Sequence, residues 1–352
     1  MTLDELIKTP GEWLRGTGPL SDIVVSSRVR LARNVADFPF LSTAGASERT
    51  EICRHVSDGI SRTSLSKDSL FVNVQEADVL DQQVLVERHL ISRQHAASEG
   101  SRGVVIAHDE THALMINEED HLRMQAFRSG LQLEALWEDI NAVDDAVAAQ
   151  VSFAFDRQFG FLTACPTNVG TGLRVSVMLH LPALKMTREI ERVARAARDM
   201  HLAVRGLHGE GTEAAGDLYQ VSNQTTLGKT EEGIVRTFQS TIIPKIVEYE
   251  RAARESLLKH SATALDDKVW RAFGILSHAR RISSEETQAL LSPIRMGVNM
   301  GRFDVIDIHT LNELFLYTQP AHLQKRHGKP LSDDDRDVAR AEYLRKQLLH
   351  TR

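Results

Sequence analysis

The 352-residue chain is poor in cysteine, with two, in proline, with nine, and in aromatic residues, at 5%. Two cysteines, Cys53 and Cys165, cannot make a cysteine-rich zinc site and do not form a disulfide framework. Nine prolines and 21 glycines exclude collagen-like or low-complexity chains. No apolar run approaches the ~18 residues that cross a bilayer. The start, Met1-Thr2-Leu3-Asp4-Glu5, lacks the basic and apolar stretches of a signal peptide. These absences predict a reduced, soluble, cytoplasmic protein. Basic excess is missing too: 42 basic against 48 acidic residues give a net charge of −6, which argues against direct nucleic-acid binding. Lysine is scarce, with 10 against 32 arginines. Genomic base composition accounts for most of that skew. Arginine nonetheless presents a planar, always-charged fork suited to phosphate and carboxylate, so anionic ligands are to be sought at particular arginines.

What is present is globular: 42% apolar and 26% charged residues, long enough for two domains of about 100–200 residues each. Residues 1–21 read as a helical lead-in ending in a Gly/Pro turn. Short apolar runs at Phe71-Val72-Asn73-Val74, Gly103-Val104-Val105-Ile106-Ala107 and Ala113-Leu114-Met115-Ile116-Asn117 predict strands. Residues 131–149 switch to helical periodicity through Leu133, Leu136, Trp137, Ile140, Val143 and Val147. A hairpin is expected around Asp156-Arg157-Gln158-Phe159-Gly160. From Leu173 to Leu181 apolar and polar residues alternate as in a strand. A helix is expected after Thr187 as N-cap, with Ile190, Val193, Ala194, Ala197 and Met200 as its buried stripe. Another is expected from Thr230 toward His260, bent or interrupted at Pro244. From about 261 only helices are expected, three or four of them between 266 and 350, with N-caps at Ser283 and Ser332. The pattern predicts an α+β catalytic domain over 22–254, with a largely antiparallel sheet flanked by helices. A C-terminal all-α helical bundle follows over 261–352.

Three familiar motifs fail. Leu227-Gly228-Lys229-Thr230 lacks the earlier glycine of a P-loop, position 223 being Asn. Gly209-Glu210-Gly211-Thr212-Glu213-Ala214 has dinucleotide-loop spacing but no βαβ context. His108-Asp109-Glu110-Thr111-His112 lacks the metalloprotease order and reads as a solvated turn between strands.

Four segments hold together. Ser26-Ser27-Arg28-Val29-Arg30 places two arginines on one face of an extended segment. Asn117-Glu118-Glu119-Asp120-His121-Leu122-Arg123 sets three carboxylates after a strand. Cys165-Pro166-Thr167-Asn168-Val169-Gly170-Thr171-Gly172-Leu173-Arg174 is a turn-rich loop with a thiol. Arg205-Gly206-Leu207-His208-Gly209-Glu210 is a glycine-rich loop with a central acid. Together and in this order they resemble the ATP:guanidino phosphotransferase (phosphagen kinase) family. The likeness is strongest to its bacterial branch that phosphorylates arginine side chains of proteins. It covers about residues 22–254, and for that branch it extends to the C-terminus.

The resemblance implies a glutamine-synthetase-like catalytic fold and ATP with Mg²⁺, the metal held mainly by phosphates and water, with no dedicated protein cage. It assigns phosphate-clamping arginines to Arg28, Arg30, Arg123, Arg174 and Arg205. The wider nucleotide site takes in Ser26, Ser27, Val29, His89, Val175, Ser176, Val177, Met178, Gly206, Leu207, His208 and Gly209, with His121 nearby. Met178 stands where small-molecule kinases carry a histidine near the adenine. In-flight phosphoryl groups need positioning and cationic stabilisation, which such a set supplies. A guanidinium, with pKa above ~12, is a poor nucleophile until oriented and relieved of a proton. The resemblance gives that work to Glu119 and Glu210, with Cys165 beside the acceptor.

Small-guanidine kinases of the family carry a helical domain before the sheet, whereas here about 25 residues precede Ser26; that departure favours a protein-borne arginine. Arg336-Asp337-Val338-Ala339-Arg340-Ala341 matches the phosphoarginine-binding, regulatory motif of the branch, through Arg336, Asp337, Arg340 and Ala341. Spacing alone favours a paired helix surface, and it is the resemblance that reverses this reading. By resemblance the partners are a zinc-binding activator, a heat-shock repressor, the Clp unfoldase–protease and a second copy in a homodimer. The implied role is marking proteins for Clp degradation and tuning the heat-shock response. Two alternatives stay open: a kinase of free arginine or another small guanidine, and a non-catalytic phosphoarginine reader or Clp adaptor.

Overall fold

Eight extended segments join into one sheet, which the computed structural model describes over residues 3–206, 215–302 and 306–349. In chain order its strands are β1 (Val24–Arg33), β2 (Ser69–Asn73), β3 (Gly103–Ala107), β4 (His112–Ile116) and β5 (Leu122–Ser129). A two-stranded hairpin, β6 (Phe155–Asp156) and β7 (Gly160–Phe161), precedes β8 (Leu173–His180), β9 (Leu202–Gly206) and β10 (Leu218–Asn223). The sheet order is β2-β3-β4-β5-β1-β8-β10-β9, and every ladder is antiparallel. β1 is therefore central, with β5 on one side and β8 on the other.

Residues opposed in an antiparallel ladder share a face. Val29, Leu31, Met124, Ala126, Val175 and Val177 line one face and are buried. They pack under helix Leu133–Ala148, whose Leu136, Ile140, Val143 and Val147 supply the apolar stripe. The other face carries Arg28, Arg30, Gln125, Arg174 and Ser176, matched across the ladders. That polar face receives the C-terminal helices Ser284–Asn299 and Ile308–Tyr317.

Several expectations change. Thr187 closes the short helix Pro182–Met186, its hydroxyl bonded back to Ala183 O, and Glu189 precedes the helix Ile190–Asp199. Of that helix's expected stripe only Ala197 is buried, and Met200 is exposed, because the helix packs loosely on the edge strand β9. Pro244 does not break its helix. It sits in the first turn of Ile243–His278, where its missing N–H is harmless, after a π-helical turn at Phe238–Ile242. The break comes later, at Ser261 (φ −147°). Glu110, expected on a solvated turn, is buried against Arg88. The serine caps form as expected: Ser283 Oγ accepts from Glu286 N at 3.1 Å and Ser332 Oγ from Asp335 N at 3.2 Å.

Candidate active site

The site is built on β1 and its two neighbours. Arg28 and Arg30 project from the same face of β1 because they are two residues apart. Arg30 faces Arg174 on β8, and Arg28 faces Ser176. On the β5 side Arg30 opposes Gln125 and Arg28 opposes Phe127, with Arg123 one pair further along. Arg28 Nη2 donates to Gln220 Oε1 at 2.7 Å and its Nε to Ser176 Oγ at 3.2 Å. Arg174 Nη2 donates to Ser222 Oγ at 3.2 Å. Arg205 lies opposite Gln220 on β9.

These cations are partly buried, and mostly beside one another. Burial, then Arg174 and Arg123, pull the Arg28 guanidinium down to about 10. Burial and the neighbours Arg28, Arg123 and Arg174 drive Arg30 well below its ordinary value, opposed by the carboxylate of Glu118. Among the described residues, Arg30 Nε finds no hydrogen-bond partner. Uncompensated buried charge of one sign is expensive unless a counter-charge arrives. Arg123 is the exception: burial opposes its charge, yet Glu118, Asp120 and Glu119 outweigh it and raise its pKa.

The acids behave differently from one another. Glu118 is buried, paired with Arg123 at 2.6 Å and accepting from Ser92 Oγ. Glu119 is 35% exposed and reaches Arg123 at 2.7 Å, so it alone of the three is open to a second cation. Asp120 is fully buried and accepts from Asn34 Nδ2 and Ala164 N, both at 2.7 Å. Burial raises its pKa. It thus ties the acidic run to the Cys165 loop. Cys165 Sγ lies 3.0 Å from Thr167 Oγ1 and is partly exposed. The loop is braced by Thr226 Oγ1, which donates to Val169 O at 2.7 Å, and by Arg33, which donates to Thr171 O at 2.9 Å. Arg33 also pairs with Asp144 and stacks on Phe161, 3.5 Å from the ring centroid. Gly172 (φ +65°) approaches the β1 backbone so closely that a Cβ would meet Ala32 O at 2.6 Å.

A cleft of about 590 Å³ opens on this face. Ser26, Arg28, Arg30, His89, Ser176, Met178, Arg205 and Gly206 line it. Ser27, Val29, Val175 and Val177 turn to the opposite face, so their side chains do not reach it. Ser27 Oγ instead donates to Gly130 O at 2.6 Å. His121 is buried away from the cleft: its Nδ1 accepts from Val35 N and its Nε2 bonds Pro39 O. Both bonds serve the backbone, and burial lowers its pKa. Leu207, His208, Gly209 and Glu210 lie outside the described residues. Sequence reasoning missed Gln220, Ser222 and Gln125, polar residues whose only signal is their register on the strands, Gln125 opposite Arg30 and Gln220 opposite Arg205.

On the last helix, Asp333–Leu349, Arg340 is 1% exposed and donates to Thr318 O, Ile282 O and Asp337 Oδ1. Its guanidinium is largely committed to the interior, contrary to a role as an open phosphate ligand in this conformation. Ala341 is buried beside it. Arg336, bonded to Leu331 O and Asp333, is the more open arginine of the motif.

The sheet thus gathers partly buried arginines beside one open glutamate and a braced cysteine loop. Residues 51–253 match the ATP:guanido phosphotransferase C-terminal catalytic domain, and 262–352 match the protein-arginine kinase McsB C-terminal domain. The chain belongs to the ATP:guanido phosphotransferase family. Within it, the "Protein-arginine kinase" of Halothermothrix orenii is 45% identical over 349 residues, covering 99% of both chains. That of Symbiobacterium thermophilum is 45% identical over 353 residues, again covering 99% of both. Solved family structures share the fold. A lombricine kinase superposes with a TM-score of 0.60 at 24% identity, covering 72% of this chain and 76% of its own. The duplicated taurocyamine kinase of Schistosoma mansoni gives 0.61 at 24%, covering 71% of this chain and 38% of that longer one.

Proposed function

We propose that this enzyme transfers the γ-phosphoryl group of Mg-ATP to the guanidinium of arginine side chains in proteins. The observation that carries this reading is the convergence of Arg28, Arg30 and Arg174 on one face of the sheet, where burial and neighbouring arginines lower the pKa of Arg28 and Arg30. Forked guanidiniums bind phosphate oxygens bidentately and stabilise the charge of the moving phosphoryl group. Mg²⁺ enters as part of the nucleotide substrate, its ligands the phosphate oxygens and water.

Glu119 stands beside Arg123, at the end of the cluster nearest the cysteine loop. An acceptor guanidinium paired with Glu119 is turned edge-on toward the γ-phosphorus. Its nitrogen forms the N–P bond while the bond from the γ-phosphorus to the β,γ-bridging oxygen breaks. The electron pair leaves with ADP, and a carboxylate takes the nitrogen's proton. The protein-borne acceptor is supported by likeness to protein-arginine kinases along both catalytic and C-terminal segments. The same likeness supports a cytoplasmic enzyme, homodimeric, with phosphoarginine sensing through Arg336 and Asp337. It also supports partnership with a zinc-binding activator, a heat-shock repressor and the Clp unfoldase–protease. Among the described residues no helix is long and apolar enough to cross a membrane.

The test is radiolabelled ATP offered with casein and, separately, with free arginine. Acid-labile label on casein arginines is the expected result. Label on the free amino acid alone overturns the protein substrate, and no label on either overturns the kinase in favour of a phosphoarginine reader.

A further inference from the structure

The cleft has two chemically different ends. One is cationic, at Arg30 and Arg28. Following the same face of β1 from Arg30 to Ser26 covers about 13 Å at roughly 3.3 Å per residue. There the lining takes in the apolar and amide groups of Trp13, Met178, Leu218, Phe315 and Gln288, with Arg205 beside them on the edge strand. Phe315 and Gln288 belong to the C-terminal helices, beyond the catalytic domain. A ligand whose polyanionic tail occupies the arginines carries its other end under these helices.

We propose that the C-terminal helical domain completes the nucleotide site, Gln288 and Phe315 closing a purine subsite against Met178 and Trp13. This rests on the phosphotransferase reading and adds the residues that hold the base. A purine is flat and apolar on its faces, with donors and acceptors along its edges. Aromatic and thioether groups suit the faces and an amide suits the edge.

The placement of Gln288 is fixed by its own helix. Gln288, Ser292 and Arg295 follow at steps of four and three, so they share one side of Ser284–Asn299. All three are buried. Ser292 Oγ donates to Asp217 Oδ2 at 2.6 Å and accepts from His180 Nε2 at 2.9 Å, anchoring the helix to the ends of β8 and β10. The three resemble a nucleophilic triad in composition only, since the serine sits in the middle and donates to the acid. Arg295 donates to Ser21 O at 2.9 Å and Asn312 Oδ1 at 3.3 Å, while Asn312 Nδ2 donates to Leu14 O at 2.9 Å. The helices are thereby tied to the lead-in that carries Trp13, whose ring stands edge-on to His89 at 4.8 Å. On the far side, Phe315 packs so near Gly216 that a Cβ there would lie 2.8 Å from the ring. The roof is preorganised.

The experiment compares ATP with inorganic tripolyphosphate, which has the tail and no base, by calorimetry on the full-length chain and on Gln288→Ala and Phe315→Leu. The expected result is wild type binding ATP more tightly than tripolyphosphate. In each variant ATP binding weakens on the order of tenfold, with tripolyphosphate unchanged. Unchanged ATP affinity in both variants overturns the subsite. So does equal weakening of both ligands, which marks the residues as structural supports, and so does a wild type that binds the two ligands equally. A wild-type chain that binds neither ligand overturns the phosphotransferase reading itself, and the subsite with it.

Discussion

Arg30 stands directly opposite Arg174 across the β1–β8 ladder, two like charges in a position where cross-strand pairs ordinarily attract. The strand pairing therefore carries an electrostatic load, which under the proposed function a bound polyphosphate relieves. Removing one member should expose it. Arg30→Met is expected to raise the melting temperature of the ligand-free chain by about 2 °C, from roughly 1 kcal/mol of relieved repulsion and desolvation. ATP should raise the melting temperature of the wild type but much less that of the variant. Scanning calorimetry with and without Mg-ATP checks both halves. A variant stabilised by ATP as strongly as the wild type would remove Arg30 from the phosphate site.

Glu119 is the exposed member of its acidic run and shares Arg123 with buried Glu118. Its substitution should damage chemistry and spare nucleotide binding. Glu119→Gln is expected to lower kcat by about 10²–10⁴-fold, the usual worth of a positioned acid–base group. ATP affinity should stay near the wild-type value because Glu118 still holds Arg123. Single-turnover labelling of casein together with ATP calorimetry separates the two. Substantial retained turnover would transfer the role to another acid.

Much of this site was legible along the chain, because local geometry encodes it. Arg28 and Arg30 share a face through their spacing, and the alternation from Leu173 to Leu181 gave β8 its two sides. Pairing between distant strands was not legible. That Arg30 meets Arg174, and Arg28 meets Gln220, depends on ladders closed across more than a hundred residues. Burial hid more. Glu118, Glu119 and Asp120 are adjacent and alike in sequence, yet one pairs inward, one faces out and one braces a loop. Arg340 fits a surface pair by spacing but is taken into the interior by the Ile282 and Thr318 carbonyls. Thr187 misled because a hydroxyl that suits an N-cap bonds equally well backward at a helix end.

His95 supplies a pH test. It is fully buried, its Nε2 bonded to Gly103 O, and burial chiefly lowers its pKa from the ordinary 6.5 to about 4. The folded state thus holds fewer protons than the unfolded state between those values, so stability rises with pH there. On acidification, stability should fall from about pH 6.5 to about pH 4, with no further loss from this group below. The full effect is a few kcal/mol at about 1.4 per pKa unit. His95→Gln, which keeps a donor but cannot take up a proton, is expected to flatten part of that slope. Urea midpoints measured across the range check it. An unchanged slope would place the acid sensitivity in other buried histidines, such as His180 or His322.

Asp120 joins the acidic run to the cysteine loop through one oxygen, which accepts from both Asn34 Nδ2 and Ala164 N. Its other oxygen lies 3.8 Å from Arg123 and, among the described residues, has no hydrogen-bond partner. The tie should therefore depend on the accepting oxygen more than on the charge. Asp120→Asn keeps that oxygen, whereas Asp120→Ala strands two buried donors at roughly 1–3 kcal/mol each. Alanine is expected to lower kcat on the order of 10²-fold by loosening Glu119 relative to Cys165, a displacement of about 1 Å being sufficient. Asparagine should recover most of the rate. ATP affinity, set by the arginines on the strands, should survive in both. If asparagine proves as damaging as alanine, the negative charge at Asp120 matters in its own right, and its attraction for Arg123 replaces the loop tie as the explanation.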